Sequence, residues 1–252
     1  MADQPKSAIT LHAKPEAIGI DPTRTAVIVV DMQNDFGSKG GMFDLAGIDI
    51  SVIRRVIAPT TRVLDSARRK GLKIIYLKMG FRPDLSDLGA PDSPNHMRHM
   101  RLGVGNTVRA PNGTEGRVLV RDTWNTDILS ELQPHTGDVV IYKHRYSGFY
   151  QTDLHARLQE LGMKYLIFVG CTTSVCVEST ARDAMFRDYA CVLLADCVGE
   201  RLGNSLTRSN HEASLLVMQT LFGWVSSSEE FVKTFGEQPI TEHEIMNRHS
   251  GV

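Results

Sequence analysis

Apolar residues fall into short unbroken runs, separated by stretches in which they recur every three or four positions. The runs at 25–31, 73–79, 138–143, 164–170 and 190–195 are strand-sized and rich in Val, Ile and Leu, the pattern of strands buried on both faces. A shorter run at 117–120 is read as a further strand. Helical periodicity predicts helices over 51–70, 126–133, 151–161, 175–187 and 205–222. The first of these ends at Gly71, placed as the residue after the C-cap that follows Arg68, Arg69 and Lys70. Strands that alternate with helices imply a mostly parallel sheet covered on both faces by right-handed crossovers. The long passage 80–116, rich in Gly, Pro, His and Arg, interrupts this alternation. The expected organisation is an N-terminal arm at 1–24, one domain at 25–235 and a polar tail at 236–252.

Composition narrows the classes. The 252 residues suffice for one large α/β core, and 28 basic against 29 acidic side chains leave a net charge of −1. No basic surplus points to nucleic acid or an anionic membrane. The apolar runs are too short to span a bilayer, and the N-terminus has no apolar signal core. A cytoplasmic protein is expected. Cysteines occur at 171, 176, 191 and 197 with no C-x₂-C spacing, which argues against a metal cluster. In a reducing compartment they remain thiols, with Cys171, Cys191 and Cys197 read as structural.

The candidate chemistry lies at strand ends. Asp31 closes the first run, Lys143 closes the run at 138–143, and Cys176 follows the run at 164–170. In open α/β sheets ligands bind beyond the carboxyl ends of the strands. With Ser174 as N-cap, Cys176 falls in the first turn of a helix. There, free N–H groups and the macrodipole are expected to lower its pKa and offer oxyanion donors.

The blocks D-M-Q-N-D-F (31–36), K-H-R-Y-S-G-F (143–149) and G-C-T-T-S-V-C-V-E-S-T (170–180) resemble, in order, the motifs of the isochorismatase-like cysteine hydrolases. The likeness runs from 25 to 224. It implies a three-layer α/β/α sandwich with a six-stranded, mostly parallel sheet in the order 3-2-1-4-5-6. That order would set strands 1, 4 and 5 side by side and bring Asp31, Lys143 and Cys176 to one mouth. The resemblance also implies that these three are the catalytic triad, that a cis peptide joins Cys171 to Thr172, and that the N–H groups of Thr172 and Cys176 form the oxyanion hole. It further implies a homotetramer. In this scheme Cys176 attacks a carbonyl carbon, Asp31 accepts the thiol proton and passes it to the departing nitrogen, and water then clears the acyl-enzyme. True isochorismatases lack the cysteine, so its presence points to an amide or ureide substrate.

Nicotinamidases of this family carry an Asp-x-His metal motif. The matching stretch 78–84 reads K-M-G-F-R-P-D and has no histidine. His96 and His99 lack a third ligand at recognisable spacing, so neither metal nor cofactor is expected. The nearest look-alikes act on small ureides, and the expected partner is such a molecule. Segments 40–49, 145–149 and 222–225 favour the ureidoacrylate group, whereas 80–88, 101–105, 116–119 and Gln219 favour biuret or triuret hydrolase. The reading leans to biuret or triuret, with Gln219 hydrogen-bonding a neutral ureide. Phe36, Phe149 and Tyr150 are candidate flat walls for a planar substrate, and Arg82, Arg101 or Arg145 are candidate clamps for a carboxylate. Asn34 is a further candidate contact, although Asn34 and Gln33 also suit a turn-fixing role. Alternatives are a ureidoacrylate amidohydrolase, an N-carbamoyl amino-acid or carbamoylsarcosine amidase, and a catalytically silent binding member of the family.

Overall fold

Six parallel strands build the central sheet: β1 (Thr25–Val30), β2 (Lys73–Met79), β3 (Val139–Lys143), β4 (Tyr165–Cys171), β5 (Ala190–Gly199) and β6 (Trp224–Ser226). The structure, a computed structural model, describes residues 8–207 and 209–236. The strands lie in the order β3-β2-β1-β4-β5-β6, the expected 3-2-1-4-5-6. Every residue of β1 is buried, because β1 pairs on both sides and is covered on both faces. Its side chains alternate with the pleat. Val27 and Val29 join one core with Val63, Leu64, Phe231 and Phe235, while Ile28 and Val30 join the other with Leu154, Leu158, Ala181 and Ala184. The first core is covered by α1 (Ile57–Arg69) and, at the far end of the chain, by the helix Ser228–Phe235. Gly71 follows α1 at φ +70°, as expected of a helix-ending glycine.

Four elements differ from expectation. The run at 117–120 is not a sheet strand: Glu115–Arg117 forms a small antiparallel hairpin with Thr107–Arg109, and β6 is the sixth strand instead. The strand bearing Lys143 is therefore the third, at the edge beside β2, and not a neighbour of β1 or β4. The stretch 126–133 holds only 3₁₀ turns, Trp124–Thr126 and Ser130–Leu132. The helix expected over 51–70 is broken into Ser51–Arg54 and α1. The one expected over 205–222 starts at Asn210, behind a Ser209–Glu212 capping box, and ends in a π turn over Met218–Phe222.

The passage between β2 and β3 contains α2 (Pro94–Arg101), started by a Ser93 N-cap with proline in the first turn. Helix α3 (Leu154–Glu160) joins β3 to β4, and α4 (Glu178–Met185) joins β4 to β5. The described part of the arm forms an antiparallel pair, Ile9–Leu11 with Ile18–Ile20. Lys14 then exchanges backbone hydrogen bonds of 2.8 and 3.0 Å with Val225, covering the outer edge of the sheet at β6. Apart from Gly236, the expected tail lies outside the described residues. Among the described residues no helix is long and apolar enough to cross a membrane.

Candidate active site

Asp31 follows β1 directly and leaves it at φ +53°, a left-handed conformation uncommon outside glycine. Its own N–H donates to the Leu77 carbonyl at 2.9 Å. The Gln33 side-chain amide holds the next turn by pairing with both the N–H and the C=O of Met79, each at 2.8 Å. This bend aims the Asp31 carboxylate across the end of β2. Lys143 ends β3 in register with Met79, and its buried ammonium meets Asp31 Oδ2 at 2.7 Å. The Nζ also contacts Met79 Sδ at 3.6 Å and donates to the Arg145 carbonyl at 3.3 Å. The side chain thus spans the width of β2, which is how an edge strand reaches the carboxylate of β1.

Cys176 lies in a π turn, Thr173–Val177, that precedes α4. The peptide before the turn, Cys171–Thr172, is cis. Thr172, and not Ser174, occupies the N-cap position, and no side chain caps it. The Ser174 N–H donates instead to Glu200 Oε2 at 2.6 Å. Behind the turn, the Thr180 hydroxyl donates to the Cys176 carbonyl at 2.6 Å, and the Cys171 thiol lies 3.2 Å from the Asp31 carbonyl.

The electrostatics correct one expectation. Burial pushes the Cys176 thiol up, Asp31 adds to this, and Lys143 only partly opposes it. Burial thus opposes the lowering expected from a helix N-terminus. Burial also raises Asp31 against the opposing pull of Lys143, which makes its carboxylate a better proton acceptor. Burial pulls the Lys143 ammonium down, but the Asp31 carboxylate leads the opposing influences, and the group stays above its ordinary value. A carboxylate, an ammonium and a thiol in one dry wall can move a proton off sulfur as the sulfur attacks, and hold the resulting anion.

Asp31 and Cys176 face a cavity of about 390 Å³. Of the expected substrate contacts, only Phe36 lines it. Asn34 is used locally: its amide donates to the Trp124 carbonyl at 2.7 Å and its oxygen accepts from the Ser38 hydroxyl at 2.8 Å. Phe149 is buried in the core against Tyr189, 6.2 Å between ring centroids. Tyr150 is exposed, with the Arg145 guanidinium over its ring. Arg82 and Arg145 line a separate surface groove, and Arg145 donates to the carbonyls of Asp87 and His144. Arg101 is exposed at the end of α2. Gln219 lines shallow depressions with neighbours such as His12, Lys14 and Trp224, and this chain does not bring it to the cavity. The helix before it starts beside the Cys176 turn, where His211 Nδ1 meets Thr173 Oγ1 at 3.0 Å, but Gln219 lies past its far end, in the turn that packs on β6.

Sequence reasoning missed two guanidinium groups. Arg98 of α2 and Arg201, just after β5, both line the cavity, with Tyr146, His99 and Leu202. Arg98 carried a faint signal, since it lies between His96 and His99. Arg201 carried none, being a single arginine in a loop. Burial, with the charges of Lys143 and Arg145, pushes His99 below its ordinary pKa despite its 2.7 Å hydrogen bond to the Asn95 carbonyl. The ring of His96 is tied to the Gly89 carbonyl at 3.1 Å. Among the described residues no three His, Cys, Asp or Glu side chains gather as a metal site would require.

Comparison with known proteins places this geometry in context. Residues 25–230 match the Isochorismatase domain family. A protein from Caulobacter segnis named ureidoacrylate amidohydrolase RutB is 40% identical over 229 residues, covering 91% of this chain and 93% of the relative. One of the same name from Serratia proteamaculans is 41% identical over 231 residues, 92% of this chain and 90% of the relative. Among solved structures, a cysteine hydrolase from Pseudomonas syringae pv. phaseolicola 1448A superposes with a TM-score of 0.72 at 28% identity, covering 86% of this chain and 94% of the other. An N-carbamoylsarcosine amidase from Thermoplasma acidophilum gives 0.60 at 25% identity, covering 82% and 97%.

Proposed function

The chain belongs to the isochorismatase family and is a ureide amidohydrolase, and on that premise we propose that its substrate is ureidoacrylate, cleaved through a covalent intermediate on Cys176. The observation that carries this reading is the pair Arg98 and Arg201 in the cavity that holds Asp31 and Cys176. A neutral ureide such as biuret leaves two guanidinium groups without a counter-charge, whereas the carboxylate of ureidoacrylate supplies one. The ureidoacrylate relatives, at about 40% identity over nine-tenths of the chain, point the same way. The lean to biuret or triuret rested partly on Gln219, which does not line the cavity.

In this reading the arginines anchor the carboxylate and the ureido carbonyl lies over Cys176. As Sγ attacks the carbonyl carbon, its proton passes to Asp31, while Lys143 holds the negative charge of the pair. The N–H groups of Thr172 and Cys176 steady the tetrahedral oxygen. Protonated Asp31 then gives its proton to the substituted nitrogen as the C–N bond breaks. Aminoacrylate leaves and a carbamoyl group remains on sulfur. Water, deprotonated by Asp31, adds to that carbonyl and releases carbamate and the thiol. A cytoplasmic setting belongs to the same proposal and suits four buried, unpaired cysteines. So does a homotetramer, for which exposed Phe186, Leu216 and Leu221 offer apolar surface.

Steady-state kinetics on ureidoacrylate, biuret, triuret, N-carbamoyl amino acids and nicotinamide test the substrate. Ureidoacrylate is expected to exceed biuret in kcat/KM by at least about 100-fold, the scale of a lost charged hydrogen bond. Equal use of biuret would refute it.

A further inference from the structure

Glu200 lies one residue past β5 and is buried, yet it is not among the residues that line the cavity. Its carboxylate accepts three backbone N–H groups. Oε2 takes that of Ser174 at 2.6 Å, and Oε1 takes those of Arg201 and Leu202 at 2.8 Å each. One side of this clamp is the turn that presents Cys176. The other is the loop segment that sends Arg201 and Leu202 into the cavity, with the Arg201 guanidinium 5.2 Å above the Phe43 ring. The Glu200 carbonyl accepts from Asn204 Nδ2 at 3.2 Å, which folds the loop back on its anchor. The β4–β5 ladder ends just behind both segments, at Cys171 and Gly199, and beyond it the carboxylate is a direct tie between the Cys176 turn and the Arg201 loop.

We propose that Glu200 is a positioning residue that fixes the distance between Arg201 and the Cys176 turn, and so sets the preference for a substrate with a carboxylate at one end and a carbamoyl group at the other. This rests on the ureidoacrylate reading above. A buried carboxylate suits the task because each oxygen only accepts hydrogen bonds, and all three facing groups are donors. A glutamine in its place must turn an NH₂ group towards at least one of them.

The test compares kcat/KM for ureidoacrylate with that for its neutral methyl ester, in wild type, Glu200→Ala, Arg201→Ala and the double variant, with thermal melting to verify folding. Wild type is expected to prefer the acid. Glu200→Ala is expected to cut that preference at least tenfold, chiefly through KM, and to change it less than threefold when added to Arg201→Ala. If Glu200→Ala does not fold, Glu200→Gln carries the same comparison, with a loss of about threefold. A general structural role lowers both substrates equally and leaves their ratio unchanged, and that result overturns the assignment. So does a full independent loss in the Arg201→Ala background. A wild type without preference for the acid overturns the substrate reading and this inference together. A preference abolished by Arg201→Ala but kept by Glu200→Ala overturns this inference alone.

Discussion

Asp31, Lys143 and Cys176 stand at or just beyond the carboxyl ends of parallel strands, whereas Arg98 and Arg201 reach the same cavity from segments outside the sheet. The two regions are held differently. The floor is fixed by β1, β2 and β4, whose ladders and two cores leave little freedom, and by a buried ion pair of 2.7 Å. The wall is stitched by buried carboxylates that accept backbone N–H groups: Glu200 on one side and Asp35 on the other. The division separates tasks. On the proposed reading, the groups assigned to bond breaking sit where the fold is least deformable, and those assigned to substrate selection sit on segments that can change without disturbing the sheet.

The largest expected effect comes from the floor. Cys176→Ser is expected to lower kcat/KM by at least about 10³-fold, because a serine hydroxyl is far less acidic than the thiol and Asp31 cannot ionise it as readily. The melting temperature should stay close to that of wild type. Activity within tenfold of wild type would remove the nucleophile assignment and place the chemistry elsewhere in the cavity. Cys171→Ser should cost far less activity.

Lys143→Met sharpens the contrast in stability. It leaves the Asp31 carboxylate buried without its counter-charge, a change expected to cost about 3–5 kcal/mol. Urea unfolding at neutral pH measures this. A loss under about 1 kcal/mol would mean that Asp31 takes up a proton with little penalty, and that the floor does not depend on the pair.

How far the sequence disclosed each region follows the same division. The strands of the floor are legible because each is an unbroken apolar run, fully buried in β1 and only partly so in edge strand β3, and a charged residue at its end is conspicuous. That marks Asp31 and Lys143. Even so, the run at 117–120 misled, since Val118, Leu119 and Val120 are buried under the wall and not in the sheet. The missing strand, Trp224–Ser226, is too short to show a pattern. For Cys176 the helix position that lowers a thiol pKa is visible in sequence, whereas the burial that opposes it is not. The wall was nearly silent. In sequence, Arg98, exposed on α2, and half-buried Arg201 look like any surface arginine, and only the fold brings both to the cavity, while Arg82, Arg101 and Arg145, equally plausible beforehand, do not line it.

A smaller effect separates wall from outer surface. Arg98→Ala and Arg201→Ala are each expected to raise KM for ureidoacrylate by about 10- to 100-fold, the scale of a hydrogen bond to a charged group, with little change for biuret. Gln219→Ala is expected to change neither substrate by more than about twofold, because this side chain is outside the cavity. Kinetics on the two substrates distinguish the cases. A marked loss in Gln219→Ala would mean that a second copy of the chain carries that residue to the site.

The smallest effect tests whether charge holds the wall. Asp35 accepts from the Met42 N–H at 2.9 Å and from Asn125 Nδ2 and the Leu119 N–H at 2.6 Å each, and Met42 and Leu119 line the cavity. Burial raises its pKa to about 6, with these three donors opposing. A folded-state pKa above the unfolded value means that the native protein keeps a proton which the unfolded chain releases. Stability from this group is therefore full below about pH 4 and is lost as pH rises towards and through about 6. Depressed carboxylates such as Asp44 and Asp49 act in the opposite sense, their contribution being lost as pH falls through their lowered values. The informative quantity is thus the difference between wild type and Asp35→Asn. Between about pH 5 and pH 6.5 wild type should lose about 1 kcal/mol relative to the variant. The variant should be the less stable protein throughout, because its amide faces at least one N–H donor, and should show a raised KM as Met42 and Leu119 shift. Urea unfolding at a series of pH values measures the slope. Parallel curves for the two proteins would show that Asp35 does not titrate in this window and that the hydrogen bonds, not the ionisation, hold this side of the wall.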